Sequence, residues 1–335
     1  MPEQALDARA FWLVTPGAGE IRAVPLRRPR ADEVLVRTLC SGVSRGTESL
    51  VFDGRVPTGQ YDVMRAPFQE GEFPGPVKYG YLNVGVVQEG PERLRGRTVF
   101  CLYPHQSAYV VPVTAVTVVP AGVPPSRGVL AGTVETAVNA LWEARPLLGD
   151  RVAVVGAGMV GCCVARLLAR IPGVDVTLVD VDPTRAAFAT ALGAGFAQPH
   201  RAGPGLDLVV HASATSSGLQ TSLDLLAPHG TVLELSWYGD AETSLSLGGS
   251  FHSGSLTVRA SQVGTMASPR RGRRTPAERL ELALDLLRDP AFDVLLSGES
   301  PLEQLPEVMG RLSSGDLPAL CHVVTYQDGG ISCSA

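Results

Sequence analysis

From Arg151 to Gly161 the chain reads Arg-Val-Ala-Val-Val-Gly-Ala-Gly-Met-Val-Gly, an apolar run that closes on three glycines spaced G-x-G-x-x-G. The run predicts a buried strand, and the stretch Met159 to Arg170 predicts a helix. A second strand, Val174 to Val179, is closed by Asp180, 19 residues beyond Gly161. Strand, turn, helix, strand and terminal acid within a unit of about 30 residues form the arrangement that receives a dinucleotide. Gly156 permits the tight turn, Gly158 lets the main chain approach a pyrophosphate, and Gly161 lets the helix lie close on the sheet. Met159 and Val160 open that helix, where free N–H groups and the positive dipole end meet phosphate. Asp180 is expected to accept from ribose hydroxyls and to repel a 2′-phosphate, which favours NAD (NADH) over NADP. Arg185 either lies along the adenine or ribose or is a solvated arginine in the first turn of the next helix. Cys162 and Cys163 read as small core residues.

The 335 residues favour about two domains. Before Pro125, short Val-rich runs (Phe11 to Val14, Glu33 to Leu39, Leu82 to Val87, Arg97 to Cys101, Ser107 to Val111, Val116 to Val119) are punctuated by Gly and Pro and predict a mostly β domain. After it, helical and strand patterns alternate, which predicts a doubly wound parallel sheet of Rossmann type. The amphipathic stretch Pro276 to Arg288, the helical Leu302 to Leu312 and a strand Ala319 to Thr325 are too few for a domain. They are expected to return to the β domain. The expected fold is thus α/β, with residues 134–266 as the dinucleotide domain and 1–133 plus 267–335 as the catalytic domain.

With 28 basic against 33 acidic residues the net charge is -5, which leaves no overall field for nucleic acid or an anionic membrane, so small-molecule partners are expected. No uncharged stretch makes the ~20-residue apolar helix of a membrane span, and the first ten residues lack the pattern of a signal peptide. Cys40, Cys101, Cys162, Cys163, Cys321 and Cys333 show no C-x-x-C pair. They read as reduced thiols of a cytoplasmic protein.

Asp207-Leu-Val-Val-His-Ala, Gly230-Thr-Val-Leu-Glu-Leu, the N-terminal β pattern and the C-terminal return together resemble the medium-chain dehydrogenase/reductase superfamily, with its GroES-like catalytic domain and zinc alcohol dehydrogenases. Ser41-Gly-Val-Ser-Arg-Gly-Thr-Glu48 and Pro76-Val-Lys-Tyr-Gly-Tyr-Leu-Asn-Val-Gly85 resemble its branch of bacteriochlorophyllide dehydrogenase-like proteins. The resemblance places Ser44, Tyr81 and Gly132 where the zinc enzymes carry their three catalytic ligands. It also finds no four-cysteine lobe between Cys101 and Ser107. Hydroxyls in place of thiolate and imidazole imply a zinc-free member.

Without a metal, hydrogen-bond donors must stabilise the oxygen on which charge develops as hydride moves. The resemblance points to Ser44 and Tyr81 for this role. A phenol near pKa ~10 would need a nearby cation to be an efficient acid, and Lys78, the only lysine, or Arg45 is available. Arg45 is also implied as a pyrophosphate ligand, and Thr136 as a residue beside the nicotinamide. Glu135 is a base, a donor-orienting acid or a helix cap; Glu48 is another acid in a segment expected to face the cleft. His105 is a proton shuttle or a structural loop residue, His211 a space-filler beneath the cofactor, and His252 part of a closing loop or a plain turn. The cluster Pro269-Arg-Arg-Gly-Arg-Arg-Thr-Pro276 is a solvated loop or a contact for an anionic substrate. The expected function is a zinc-independent, NAD(H)-dependent oxidoreductase that interconverts a secondary alcohol and a ketone on a metabolite in the interdomain cleft, as a homodimer. Reduction of an activated carbon–carbon double bond and a non-catalytic dinucleotide sensor are the alternatives.

Overall fold

The structure, a computed structural model, describes residues 6–326. The chain divides into two compact units: residues up to Gly132 with those from Leu296 onward, and Thr133–Leu295.

The second unit is built on a six-stranded parallel sheet in the order Gly195–Ala197, Asp175–Val179, Arg151–Val155, Leu206–His211, Leu226–Glu234, Thr257–Ala260. Strands at the centre of such a sheet are covered on both faces, which is why Val152 to Val155 and Leu208 to His211 are continuously buried. The strand order reverses between Arg151–Val155 and Leu206–His211, and this is the switch point at whose carboxyl end doubly wound sheets bind ligands. The helix Met159–Leu168 buries Cys162, Cys163, Val164 and Leu168.

The first unit carries a four-stranded sheet, in which Leu6–Thr15 pairs antiparallel with Ala18–Leu26, and a seven-stranded one. In the latter the strand Glu33–Ser44 is central, pairing with Cys321–Thr325, Asn83–Glu89 and Ala108–Pro112. Eleven of its 12 residues are buried. Its last residue pairs with Cys321, so the C-terminal return is stitched to the strand end that carries Ser44.

The second crossover lies at Leu296 and not at residue 267. The helix Pro276–Leu286, expected in the catalytic domain, belongs to the dinucleotide unit. Thr275 and Glu278 form its capping box, and buried Arg279 binds it to the helix Ala131–Ala144. An amphipathic period tells that a helix has a core face but not which core receives it. Among the strands that escaped the sequence pattern are Ala18–Leu26 and Leu296–Pro301, neither of which has a run of buried apolar residues. No helix among the described residues is long and apolar enough to cross a membrane.

Cys40, Cys101, Cys162, Cys163 and Cys321 are buried and free, while Cys333 lies outside the described residues. Burial pushes the thiols of Cys101, Cys162 and Cys321 up to about 12. As the thiolate is the reactive species, these three should resist Ellman's reagent in the native state at pH 8 and react once denaturant opens the fold. Rapid labelling of any of them in the native protein, mapped by mass spectrometry, would contradict the burial described.

Candidate functional site

In the dinucleotide unit the three glycines meet three separate constraints. Gly156 has φ +106°, and a Cβ there would lie 2.8 Å from the main chain of Ala212 and Ser213. A Cβ on Gly161 would lie 1.9 Å from the Gly156 carbonyl oxygen, so a side chain would lift the helix off the turn. Around Gly158 nothing lies within 4 Å, which leaves its exposed side open to a ligand. Gly158 also starts the helix Met159–Leu168 with no side-chain cap, so the first-turn N–H groups of buried Met159 and half-buried Val160 are available to an anion.

Asp180 holds this turn. Its Oδ2 accepts from Ala157 N–H at 2.7 Å and its Oδ1 from Asp182 N–H at 2.9 Å. A cavity of about 200 Å³ lined by Gly156, Asp180, Val181, Ser213 and Gly218 lies beside it. Arg185 is committed elsewhere: Nε is 3.2 Å from Asp182, and the guanidinium lies 5.6 Å from the Phe188 ring centre. Thr136 is half-buried on the helix Ala131–Ala144.

His211, expected as a space-filler, is instead a fully buried hydrogen-bonding hub at the carboxyl end of its strand. Nδ1 lies 2.7 Å from Glu234 Oε2 and Nε2 lies 2.7 Å from Ser213 Oγ. The Tyr238 hydroxyl donates to the same Glu234 oxygen at 3.0 Å. Burial pushes the Glu234 carboxyl up, but the bonds from His211 and Ser236 outweigh it and hold the group below the usual carboxylate range.

In the first unit the strand Glu33–Ser44 hands over to the helix Arg45–Phe52 at Ser44. The Ser44 N–H donates to Glu48 Oε1 at 2.7 Å, and Glu48 Oε2 lies 2.8 Å from His105 Nε2. His105 Nδ1 lies 2.7 Å from Ser41 Oγ, which lies 2.8 Å from the Tyr326 hydroxyl. Glu48 and His105 are buried, so each polar atom needs the partner it has. Gly80 is required here: its φ is +116°, and a Cβ would meet His105 Cδ2 at 2.7 Å. The half-buried Tyr81 has Ser44, Thr47 and Glu48 as the neighbours that bear on its phenol. Burial and the Glu48 charge push its phenol up to about 12, so it stays protonated at neutral pH.

Lys78 and Glu135 do not join this cluster. The Lys78 ammonium is fully buried, 2.5 Å from Glu70 Oε1 and 2.7 Å from Gln106 Oε1, and lies over the Tyr103 ring. It is spent on binding strands together and is no cation for Tyr81. Glu135 neither starts its helix, which begins at Ala131, nor is free to act as a base. It is buried and paired at 3.0 Å with Arg279 Nε, while the same guanidinium reaches Asn139 Oδ1 and the Val263 carbonyl, both at 2.6 Å. Arg45 opens the helix after Ser44 and is half-buried. His252 is exposed in the short helix Ser250–Ser253. Residue-by-residue reading missed Ser41 and Tyr326, which carry no local motif.

The metal centre of the zinc enzymes does not fit these residues. A serine hydroxyl and a phenol held near 12 are poor zinc ligands. A side chain at Gly132 would meet Leu82 Cδ2 at 2.7 Å, so leucine fills the place of a third ligand. Among the described residues no group of three or more His, Cys, Asp or Glu side chains is placed to hold a metal ion. The glycine loop, by contrast, fits a dinucleotide.

A family model described as FAD dependent oxidoreductase matches residues 151–274, little more than a third of the chain. No curated protein matches in sequence. Solved structures match over nearly the whole chain. L-idonate 5-dehydrogenase from Escherichia coli superposes with a TM-score of 0.77 at 14% identity, covering 96% of this chain and 99% of its own. A short chain alcohol dehydrogenase from E. coli, complexed with NADH, gives 0.76 at 16%, covering 95% and 99%. A dehydrogenase from Sinorhizobium meliloti described as zinc-binding, bound to NADP, gives 0.75 at 18%, covering 96% and 99%. The chain therefore has the two-unit fold of these dehydrogenases, a GroES-like β domain carrying a Rossmann unit.

Two outcomes follow from the buried groups. Arg279→Met strands the Glu135 carboxylate and should cost about 3–5 kcal/mol in urea unfolding; the double variant with Glu135→Leu should recover much of that, and equal losses in both would refute the pairing. Tyr81 ionises at its ordinary value of 10.0 when unfolded and at about 12 when folded. The folded state thus holds the proton that the unfolded chain has released, so its contribution is complete below pH 10 and is lost as pH rises toward 12. In Tyr81→Phe the urea midpoint should fall less steeply across that window than in the parent.

Proposed function

We propose that the protein is a nicotinamide-dependent oxidoreductase that interconverts a secondary alcohol and a ketone using protein hydroxyls in place of a metal. The observation that carries this reading is the network at the end of the central strand, where Glu48 binds the Ser44 N–H and faces His105, beside Tyr81, whose phenol is influenced by Ser44, Thr47 and Glu48; the resemblance sets Ser44 and Tyr81 at zinc-ligand positions. The dehydrogenase fold and the nicotinamide cofactors named for two of its neighbours support it.

The main-chain N–H groups after Gly158 would hold the pyrophosphate, and Asp180 the adenosine ribose, its charge disfavouring a 2′-phosphate. The match to FAD enzymes falls on the ADP-binding part of the fold, which both dinucleotides use. When bound, the nicotinamide supplies or accepts the hydride. The protonated Tyr81 donates to the substrate oxygen as negative charge grows on it and passes its proton there, and the phenolate left behind takes a proton from solvent as product leaves. Glu48 holds the Ser44 main chain, and the His105–Ser41–Tyr326 series holds Glu48, so the donors are already oriented before substrate arrives. In the oxidative direction Tyr81 first yields its proton to solvent, and its phenolate then accepts the proton of the alcohol.

The test is a carbonyl panel with NADH in the presence of a strong chelator. Turnover should persist, NADH should bind at least about tenfold more tightly than NADPH, and Tyr81→Phe should lower kcat about 100-fold with NADH affinity intact. A requirement for one tightly bound zinc per chain, or an undiminished rate in Tyr81→Phe, would overturn the reading.

A further inference from the structure

The dinucleotide unit has a second concave feature, at the other end of its sheet from the glycine loop. The helix Ala131–Ala144 ends just before the strand Arg151–Val155 begins, and Ile171 follows the helix that runs back from Gly158. Trp142, Ile171, Arg145, Arg270, Arg271 and Arg273 all line one open cleft of about 790 Å³ there. A strand of five residues separates it from the glycine turn by roughly 16 Å.

The four arginines have no carboxylate partner among the described residues, unlike Arg166 and Arg279, which pair with Asp289 and Glu135. Arg271 Nε donates to the Met266 carbonyl at 3.1 Å, and the Arg270 guanidinium lies 5.3 Å from the Trp142 ring centre. Glu143, an acid close by on the helix, already accepts from Ser268 N–H at 2.7 Å and lies 3.5 Å from Arg259. Arg145 sits at φ +53°, a conformation a non-glycine residue holds at a cost. Four like charges around one hollow repel each other, and in a chain of net charge -5 their convergence calls for a counter-anion.

We propose that this cleft is a second ligand site, for a small molecule bearing two or more oxyanion groups, phosphate or carboxylate, on an apolar body. Guanidinium groups grip such oxygens in pairs, and Trp142 and Ile171 give the body an apolar floor. The concave shape and a volume inside the ~300–1,000 Å³ of small-molecule pockets favour a compact ligand over an extended polyanion. The site does not depend on the oxidoreductase reading.

Isothermal titration with inorganic pyrophosphate and with citrate, at constant ionic strength, tests it and separates the phosphate from the carboxylate source. At least one of the two should bind the parent, with affinity falling about tenfold or more in Arg270→Gln/Arg273→Gln and also in Arg145→Gln. These side chains are exposed or half-buried, and circular dichroism checks that each variant folds. The control Arg93→Gln/Arg201→Gln removes two exposed charges elsewhere and should leave binding unchanged. No binding of either anion by the parent, undiminished binding in the cleft variants, or an equal loss in the control would overturn the proposal.

Discussion

The arrangement of the first unit depends on one buried carboxylate. Glu48 is 3% exposed, and a charge in that position persists only if its oxygens are bonded. One oxygen takes the Ser44 N–H and the other faces His105, so a single side chain ties the end of the central strand, the first turn of a helix and the loop after Cys101. Removing the imidazole would leave Glu48 half-satisfied, and removing Glu48 would release both Ser44 and His105. The main chain of Ser44 takes its position from that anchor.

How much of this could be read from residues alone follows the range of each constraint. The glycine turn was legible because its requirements are local: a positive φ at Gly156 and contact of Gly161 with an oxygen five residues away leave no other residue type possible. Ser44 and Tyr81 were singled out through the resemblance, since their spacing alone is uninformative. The network behind them runs from Ser41 to Tyr326, and only the pairing of Cys321–Thr325 with Glu33–Ser44 brings its ends together. Lys78 drew notice as the sole lysine, but its partner Glu70 stands directly opposite on the adjacent strand, a register no sequence pattern showed. Glu135 was misassigned for the same reason, its partner Arg279 being 144 residues away.

On the proposed reading, the place of a metal is taken by groups that solve the same electrostatic problem in a different way. A zinc ion polarises an oxygen by charge and needs anionic or imidazole ligands to stay bound. A phenol held protonated by burial and by the Glu48 charge presents a fixed dipole and a transferable proton. Leu82 packs where a side chain at position 132 would project.

The two kinds of similarity also divide along physical lines. The FAD-type family model matches residues 151–274 alone, whereas solved dehydrogenases superpose along nearly the whole chain at 14 to 18% identity. The glycine turn tolerates few residues, because a Cβ at Gly156 or Gly161 would strike the main chain, and the same turn serves NAD and FAD. The β unit needs only alternating burial and strands of suitable length, conditions that many unrelated side chains satisfy. Its shape can therefore be kept while its sequence drifts. The identity of the reaction must then be sought in the few positions where polar groups are buried and fully bonded, Glu48, His105 and their hydroxyl partners, since those are what packing alone would have replaced with apolar residues.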